Sequence, residues 1–300
     1  MDNLRGATLM VLAMLGFAIE DSFIKLMGDA VPVGQILVML GIGGSAVFAV
    51  VVLVQGRALF ERDMLAAPVM TRAVGEIVGT ICFVSAIVFT PLSTASAILQ
   101  ATPLVVTLGA ALFLGETVGW RRWAAIGVGF MGVMMIIRPG LDGFSPLSLF
   151  AVGGVFGLAL RDISTRKISA SLSSMQLSFL GFLVLVPAGL MLLGITGQRF
   201  APFDAHLWML ITAAITIGVF AYYGIVAAMR VGEVSFVTPF RYSRLIFAMI
   251  IGVAFFGERP DLLTIVGGTI IVASGIYTVL RERKHRFRTV ASLSKPVSRL

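Results

Sequence analysis

The stretch Leu-Gly-Glu at residues 114–116 returns as Phe-Gly-Glu at residues 256–258, and this offset of 142 residues organises the chain. The same offset aligns two further pairs of identical residues, Ser93 with Ser235 and Lys25 with Lys167. Anchors that recur at one fixed spacing indicate an internal repeat, in which each copy is one structural unit. We therefore predict a first unit over residues 1–142, a second over residues 143–283, and a basic tail over residues 284–300.

The composition excludes a soluble protein. Of the 300 residues, 58% are hydrophobic and only 13% are charged, with a mean hydropathy of +1.00, whereas soluble domains carry about 25% charged residues. A helix of about 20 apolar residues spans a bilayer, and breaks made of Gly, Pro and charged residues divide the chain into such segments. We predict an all-α integral membrane protein with ten transmembrane helices, near residues 7–27, 33–54, 69–89, 93–114, 120–137, 146–166, 175–194, 207–229, 234–256 and 261–280.

Each predicted unit contains five spans, and five is odd. The two units must then cross the membrane in opposite directions, as two inverted five-helix repeats. In such folds the substrate site lies near the middle of the membrane, between the repeats, and one repeat moves against the other. The sequence therefore predicts a site built from both halves of the chain.

The distribution of positive charges along the chain predicts its orientation in the membrane. A formal net charge of +8 would suggest nucleic acid in a soluble protein, but six of these charges belong to residues 281–300. A basic tail of this kind meets anionic headgroups, so we predict membrane lipid as a partner and no nucleic acid. Because Lys and Arg in loops mark the cytoplasmic side, the 17 on the N-terminal side against 4 on the other predict an inner-membrane protein with both termini cytoplasmic.

Signals of enzyme chemistry are missing from the sequence. One cysteine and two histidines give no metal-ligand spacing, and neither a Gly-x-Ser-x-Gly nor a His-x-x-x-His nor a Walker motif occurs. We predict a protein that is not an enzyme and binds no cofactor. We expect a monomer and leave a dimer open.

Polar side chains inside the predicted spans are the candidates for function, because an ionisable group in a bilayer costs a few kcal/mol. The 142-residue offset maps Glu20 onto Asp162 and Gln100 onto Tyr242, so each pair is expected to face a common axis. The candidate substrate-binding residues are Glu20, Asp21, Glu76, Gln100, Asp162, Tyr223, Arg241, Tyr242 and Arg244.

The acids have two possible uses in transport. Glu20 and Asp162 could pair with a substrate ammonium or take up a proton and so couple transport to the proton gradient. The alternatives are local: Asp162 would pair with Arg166 one helical turn away, and Glu20 would stay near Lys25 at the water interface. The depth of each acid in the membrane decides between these readings.

The two arginines of the ninth span also have two possible roles, substrate binding or internal ion pairing. Arg241 and Arg244 are three residues apart and share a helix face, where a guanidinium pair could bind a substrate carboxylate. The alternative is an internal ion pair with Glu76 or Asp162. Tyr223 in the eighth span could stack on an aromatic or cationic substrate.

Glycines and glutamates also predict local packing. Gly75 and Gly79 form a small-x-x-x-small face that favours close helix approach. Glu116 and Glu258, in the two Gly-Glu anchors, are expected to cap the helices that follow them, because negative charge is favourable at a helix N-terminus.

Together these motifs resemble a known family. They are the segment Pro-Leu-Ser-Thr-Ala-Ser-Ala-Ile-Leu-Gln-Ala-Thr-Pro at 91–103 before the first Gly-Glu, the glycines Gly127, Gly129 and Gly132 in the next helix, and Thr-Pro-Phe-Arg-Tyr-Ser-Arg at 238–244 before the second Gly-Glu. The pattern covers residues 5 to about 283 and resembles EamA-type transporters of the drug/metabolite transporter superfamily, with a tilt toward the aromatic amino acid exporters. The pair Glu20-Asp21 stands where a polar-aromatic pair is expected, which predicts a more acidic pocket.

The resemblance implies a secondary transporter that moves small metabolites by alternating access through a central cavity. Aromatic or amphipathic amino acids moved outward are the first expectation for its substrate. The same acids would serve a proton-coupled importer of a cationic metabolite such as S-adenosylmethionine, with protons as a second partner. A non-transporting structural or assembly protein is the alternative from a different class.

Overall fold

The computed structural model describes residues 2–115, 119–141, 144–169, 171–231 and 234–293. These ranges are helical and contain no β-strand. Their helices are α1 (Asp2–Met27), α2 (Val33–Val54), α3 (Ala67–Phe89), α4 (Leu92–Leu99), α5 (Thr102–Phe113), α6 (Trp120–Ile137), α7 (Ser148–Thr165), α8 (Ser174–Leu183), α9 (Leu185–Thr196), α10 (Ala205–Val231), α11 (Val234–Val237), α12 (Ser243–Phe256) and α13 (Leu262–Leu293). A 3-10 helix covers Arg62–Leu65, and a second 3-10 segment, Thr238–Tyr242, joins α11 to α12.

The predicted all-α membrane fold is confirmed. Ten helical stretches of the described chain are long and apolar enough to cross a membrane. Two of these stretches contain a break between two helices, α4 and α5 in the fourth and α8 and α9 in the seventh, while the ninth begins with the 3-10 segment. The chain therefore has the ten spans that two five-helix repeats require.

The most extensive helix contacts join the two halves of the chain. Helix α3 packs along α7, and α1 packs along α10; further contacts join α6 to α13 and α2 to both α8 and α9. Under the 142-residue offset, the α3–α7 pair maps onto the α10–α1 pair. The core thus lies between the two repeats, where the sequence predicts the site.

Glycines bring α3 and α7 into backbone contact, as predicted for Gly75 and Gly79. A Cβ atom on Gly75 would lie 2.6 Å from the backbone nitrogen of Arg161, and one on Gly157 would overlap the backbone of Gly79. Small residues let membrane helices approach closely enough for dispersion forces to hold them together. This contact also sets the spacing of the charged side chains that α3 and α7 carry.

The second Gly-Glu anchor has a different role from the one predicted. Gly257 ends α12 in the left-handed conformation, at φ +60°, and the turn directs Glu258 to the N-terminus of α4. There the Glu258 carboxylate accepts hydrogen bonds from the backbone N–H of Leu92 and, at 3.0 Å, of Ser93. Glu258 therefore caps a helix of the other repeat rather than the one that follows it, and Glu116 lies outside the described residues.

The helix that follows Glu258 is capped by Asp261. Its carboxylate accepts a 2.9 Å hydrogen bond from the backbone N–H of Thr264 in α13 and pairs with Arg138 at the end of α6. The hydrogen bond from Arg138 lowers the pKa of Asp261 to about 2. The carboxylate is therefore ionised at neutral pH, and the pair ties two membrane spans together at one end.

The close approach of α3 and α7 can be tested by substitution. Gly157→Ala should lower the thermal unfolding temperature of the purified protein, because the added methyl group must push the backbone of α3 away; overpacking of this kind costs about 1–3 kcal/mol. Gly127→Ala is the matched control, since a Cβ at that helical position meets nothing within 4 Å. Equal unfolding temperatures for both variants would contradict the described packing.

Candidate functional site

The breaks in the fourth and ninth spans meet between the repeats. Gln100 lies at the break between α4 and α5, and Tyr242 ends the 3-10 segment before α12. The side-chain amide of Gln100 donates a 3.3 Å hydrogen bond to the backbone carbonyl of Tyr242. The two predicted symmetry mates are therefore in direct contact, and irregular backbone of this kind is tolerated in membranes where it is enclosed by protein or lines a cavity.

Asp21 and Arg244 form an ion pair between the halves of the chain. Asp21 on α1 is only 3% exposed, and its carboxylate accepts hydrogen bonds from both Nε and Nη2 of Arg244 on α12, the shortest at 2.7 Å. The guanidinium lies over the rings of Phe17 and Phe83, each 5.2 Å from the centroid. From the sequence we considered Glu76 or Asp162 as internal partners of the arginines. In the structure Arg244 pairs with Asp21 instead.

A second group of charges joins α3 to α7. Arg161 Nη1 lies 3.3 Å from Glu76, and Arg161 Nη2 lies 2.8 Å from Asp162. Asp162 therefore pairs with its chain neighbour rather than with Arg166, the predicted alternative. Arg161, which was not among the predicted site residues, is part of this internal network.

Arg72 completes the group and was not among the predicted site residues. It is 6% exposed, its Nη2 lies 3.5 Å from Glu76, and its Nε and Nη1 have no hydrogen-bond partner. Gly181 on α8 faces this guanidinium, and a Cβ there would lie 3.5 Å from Nη1. Without the buried Arg72 and the partly buried Arg161, 15 of the 17 cations counted on the N-terminal side remain against 4, and the orientation stays a prediction.

Glu20 and Arg241 are the two charged candidates that make no direct ion pair. Neither has a hydrogen bond or a salt bridge to another described residue, although Arg241 lies within electrostatic range of Asp162 and Arg161. The Glu20 carboxylate points at α10, where Gly218 leaves the space that it occupies. Lys25, its predicted alternative partner, donates instead to the carbonyls of residues 87 and 90, at 3.1 and 2.7 Å.

The repeat explains why Glu20 lacks a partner. The offset places Ile19 where the second half has Arg161, and Gly218 where the first half has Glu76. Glu20 therefore occupies the position of Asp162 without the arginine that neutralises Asp162. An acid inside the membrane without an ion-pair partner is a candidate for binding a positively charged group of a ligand or a proton.

Tyr223 lies apart from these residues. It is 61% exposed and shares the outer stripe of α10 with Met209 and Phe220. Its neighbour Tyr222 points the other way, with its ring 5.3 Å from that of Phe48 and in electrostatic range of Arg161. The sequence placed a tyrosine of this pair in the site but selected the one that faces outward.

Eight charged side chains inside the spans form two clusters of opposite formal charge. The α3–α7 cluster consists of Arg72, Glu76, Arg161 and Asp162, together with Arg241, on which Asp162 is the strongest charged influence although Arg244 is also in electrostatic range; it has three guanidinium groups against two carboxylates. The α1–α12 cluster consists of Glu20, Asp21 and Arg244, two carboxylates against one guanidinium group. One cluster thus carries a formal excess of +1 and the other of −1, within a core formed by both repeats.

Ten apolar spans with charged clusters and broken helices between two halves define a membrane transport protein. No group of His, Cys, Asp or Glu in the described part of the chain could hold a metal ion. The chain belongs to the EamA-like transporter family, whose model matches it twice, at residues 4–138 and 146–281.

Curated relatives of the chain carry different substrates. It is 29% identical over 295 residues to a riboflavin transporter of Vibrio cholerae, covering 96% of this chain and 98% of the relative. It is 27% identical over 194 residues, 65% of either chain, to an S-adenosylmethionine uptake transporter of Rickettsia prowazekii. It is 26% identical over 275 residues to a pseudopaline exporter of Pseudomonas aeruginosa, covering 90% of this chain and 94% of the relative.

The family and these relatives identify a transporter of small metabolites rather than an enzyme. The EamA resemblance seen in the sequence is confirmed. These relatives do not support the expected similarity to the aromatic amino acid exporters in particular.

The Asp21–Arg244 pair gives a direct test of the site. Asp21→Asn should destabilise the protein, since removal of one partner from a buried ion pair costs about 3–5 kcal/mol. The double variant Asp21→Leu with Arg244→Leu should lose less than the sum of the two single leucine variants, because it leaves no unpaired charge. Thermal unfolding in one detergent compares the wild type with these four variants, and strict additivity of the leucine variants would show that the two groups do not interact.

Proposed function

We propose that this chain is a secondary transporter whose cargo is a small zwitterionic metabolite, an amino acid or an amino-acid derivative, moved by alternating access between the two repeats. The pair of oppositely charged clusters is the observation that carries the proposal. A zwitterion brings an ammonium group for the cluster with an excess carboxylate and a carboxylate for the cluster with an excess guanidinium. Cargo binding would then neutralise both clusters at once.

Glu20 and Arg241 are the residues that we assign to the cargo. Glu20, which packs against Gly218 and has no ion-pair partner among the described residues, would accept hydrogen bonds from the ammonium group. Arg241, which also has no direct ion pair among the described residues, would hold the carboxylate. Charge-assisted hydrogen bonds of this type are roughly twice as strong as neutral ones, and inside a membrane the unpaired groups have little water as an alternative.

The paired residues would support the site rather than bind cargo directly. Asp21 holds Arg244, and Arg161 lies between Glu76 and Asp162. These pairs join the two halves of the chain. A cargo carboxylate that draws Arg161 or Arg244 away from its acid would loosen the contact between repeats, which is one way to couple binding to rocking.

A cationic cargo is the second candidate, and the unpaired Glu20 favours it. S-adenosylmethionine, named for a relative that covers 65% of this chain, carries a sulfonium group in addition to its amino acid group. Proton coupling through Glu20 would belong to this reading. The outward direction that the resemblance implies stays a prediction, because the relatives include both an uptake transporter and an exporter.

Counterflow into proteoliposomes tests the proposal. Vesicles with purified protein and a panel of amino acids, S-adenosylmethionine and riboflavin should exchange zwitterions in preference to riboflavin, which lacks the ammonium–carboxylate pair. Glu20→Gln and Arg241→Gln should each reduce exchange about ten- to hundred-fold, the value of a lost charged hydrogen bond of about 1.5–3 kcal/mol. Tyr223→Phe on the outer face of α10 is the matched control and should exchange like the wild type.

The outcomes separate the alternatives. Exchange of riboflavin alone, or full activity in both glutamine variants, would contradict a zwitterion site. A pH gradient that drives uptake in the wild type and not in Glu20→Gln would select the proton-coupled cationic reading. No exchange of any of these cargoes by a folded protein would contradict both the zwitterionic and the cationic proposal.

A further inference from the structure

A groove lies on the outside of the bundle, away from the charged clusters. It has a volume of about 670 Å3 and runs between α3, α5 and α7. Its walls are apolar, with Leu108, Leu112, Phe113, Phe156 and Leu160 as the large side chains. The volume is within the range of about 300–1,000 Å3 that ligand sites have, and the walls suit a hydrocarbon chain.

One end of the groove is polar and positively charged. Lys167, Ser164 and Thr71 line this end, and none of the described lining residues is acidic. Ala67 and Pro68 also line it, and they form the first turn of α3. Because a helix N-terminus carries positive partial charge, it adds to the field of the lysine at the same end.

Lys167 is free to bind a ligand in this structure. Its repeat mate Lys25 is folded inward, where it donates to two backbone carbonyls and lies 4.0 Å from Glu258. Lys167 follows the last turn of α7 and is exposed, and its ammonium group forms no hydrogen bond or ion pair with the described residues. The two equivalent lysines thus differ: Lys25 binds backbone carbonyls at the junction of two helices, and Lys167 faces outward.

We propose that this groove binds one anionic phospholipid, with its phosphate at Lys167 and an acyl chain between α5 and α7. Charge complementarity selects the headgroup, since the only charged side chain of the described lining is a lysine. Ser164 supplies a hydroxyl group that can donate to a phosphate oxygen, whereas the Thr71 hydroxyl donates to the Ala67 carbonyl at 2.9 Å. The site lies on the side of the membrane predicted to be cytoplasmic, where anionic lipids concentrate.

Native mass spectrometry of the purified full-length protein tests this site. Phosphatidylglycerol and phosphatidylcholine with identical acyl chains are added separately, and glycerol phosphate is a third arm. We expect phosphatidylglycerol to bind about five-fold more tightly than phosphatidylcholine, the contribution of about one lysine to an anionic surface. Glycerol phosphate should not bind, because it has no chain for the groove.

Three variants assign the binding to this groove. Lys167→Gln should remove the preference for phosphatidylglycerol and retain the binding of phosphatidylcholine. Leu108→Trp, which fills the groove, should weaken the binding of both lipids; if it is not monodisperse by gel filtration, Thr71→Phe at the rim replaces it. Arg121→Gln, an exposed cation at the start of α6 on the same predicted side, is the control and should keep the preference.

Four results would overturn the proposal. They are equal binding of both lipids to the wild type, a preference that survives Lys167→Gln, a preference lost equally in Arg121→Gln, and full lipid binding in a folded groove-filling variant. Binding of glycerol phosphate as tight as that of the lipid would assign Lys167 to a soluble anion instead and would also contradict a lipid site.

Discussion

The cost of a charge inside a bilayer is the constraint on which the rest of this structure depends. Charged side chains within membrane spans are stable only where they meet opposite charges, backbone dipoles or a polar ligand. In this chain two of the ion pairs join different halves: Asp21 pairs with Arg244, and Glu76 pairs with Arg161. The ion pairs therefore hold the repeats together and concentrate polarity where helices of both repeats meet.

The glycines make this arrangement possible. Side chains on α3 and α7 could not share a network if bulky residues separated the helices, and Gly75, Gly79 and Gly157 remove that separation. In the equivalent α1–α10 contact, Gly218 has a different effect. It stands at the position that Glu76 has in the first half, and the space left by its missing side chain holds the carboxylate of Glu20. Small residues thus allow close packing in one contact and accommodate an acid without an ion-pair partner in the other.

Much of the fold could be predicted from the sequence, because a span needs only length and low polarity. The repeat offset also predicted that Gln100 and Tyr242 face a common axis, and in the structure the two are in contact. Which charged side chains pair depends on the rotation of each helix about its axis, and the repeat offset does not predict that rotation. Arg244 is therefore matched to Asp21 rather than to Glu76 or Asp162.

Sequence alone also could not decide which of Tyr222 and Tyr223 faces the interior of the protein. Consecutive residues on a helix differ by about 100° in direction, so two adjacent tyrosines cannot be told apart without the packing of α10. The burial of Arg72 could not be predicted either, because a cation in the first two turns of a span fits both a cytoplasmic anchor and a buried partner of Glu76. Its burial follows from the close approach of α3 to α7 and from Gly181 opposite.

The difference between the repeats bears more directly on function than their similarity does. Two identical halves would offer two identical binding groups, which suits a cargo with like charges at both ends. Here the halves share a backbone plan, but Ile19 precedes Glu20 where Arg161 precedes Asp162, and Lys25 is bound where Lys167 is exposed. The clusters consequently differ in formal charge, and the zwitterionic cargo that we propose would satisfy both.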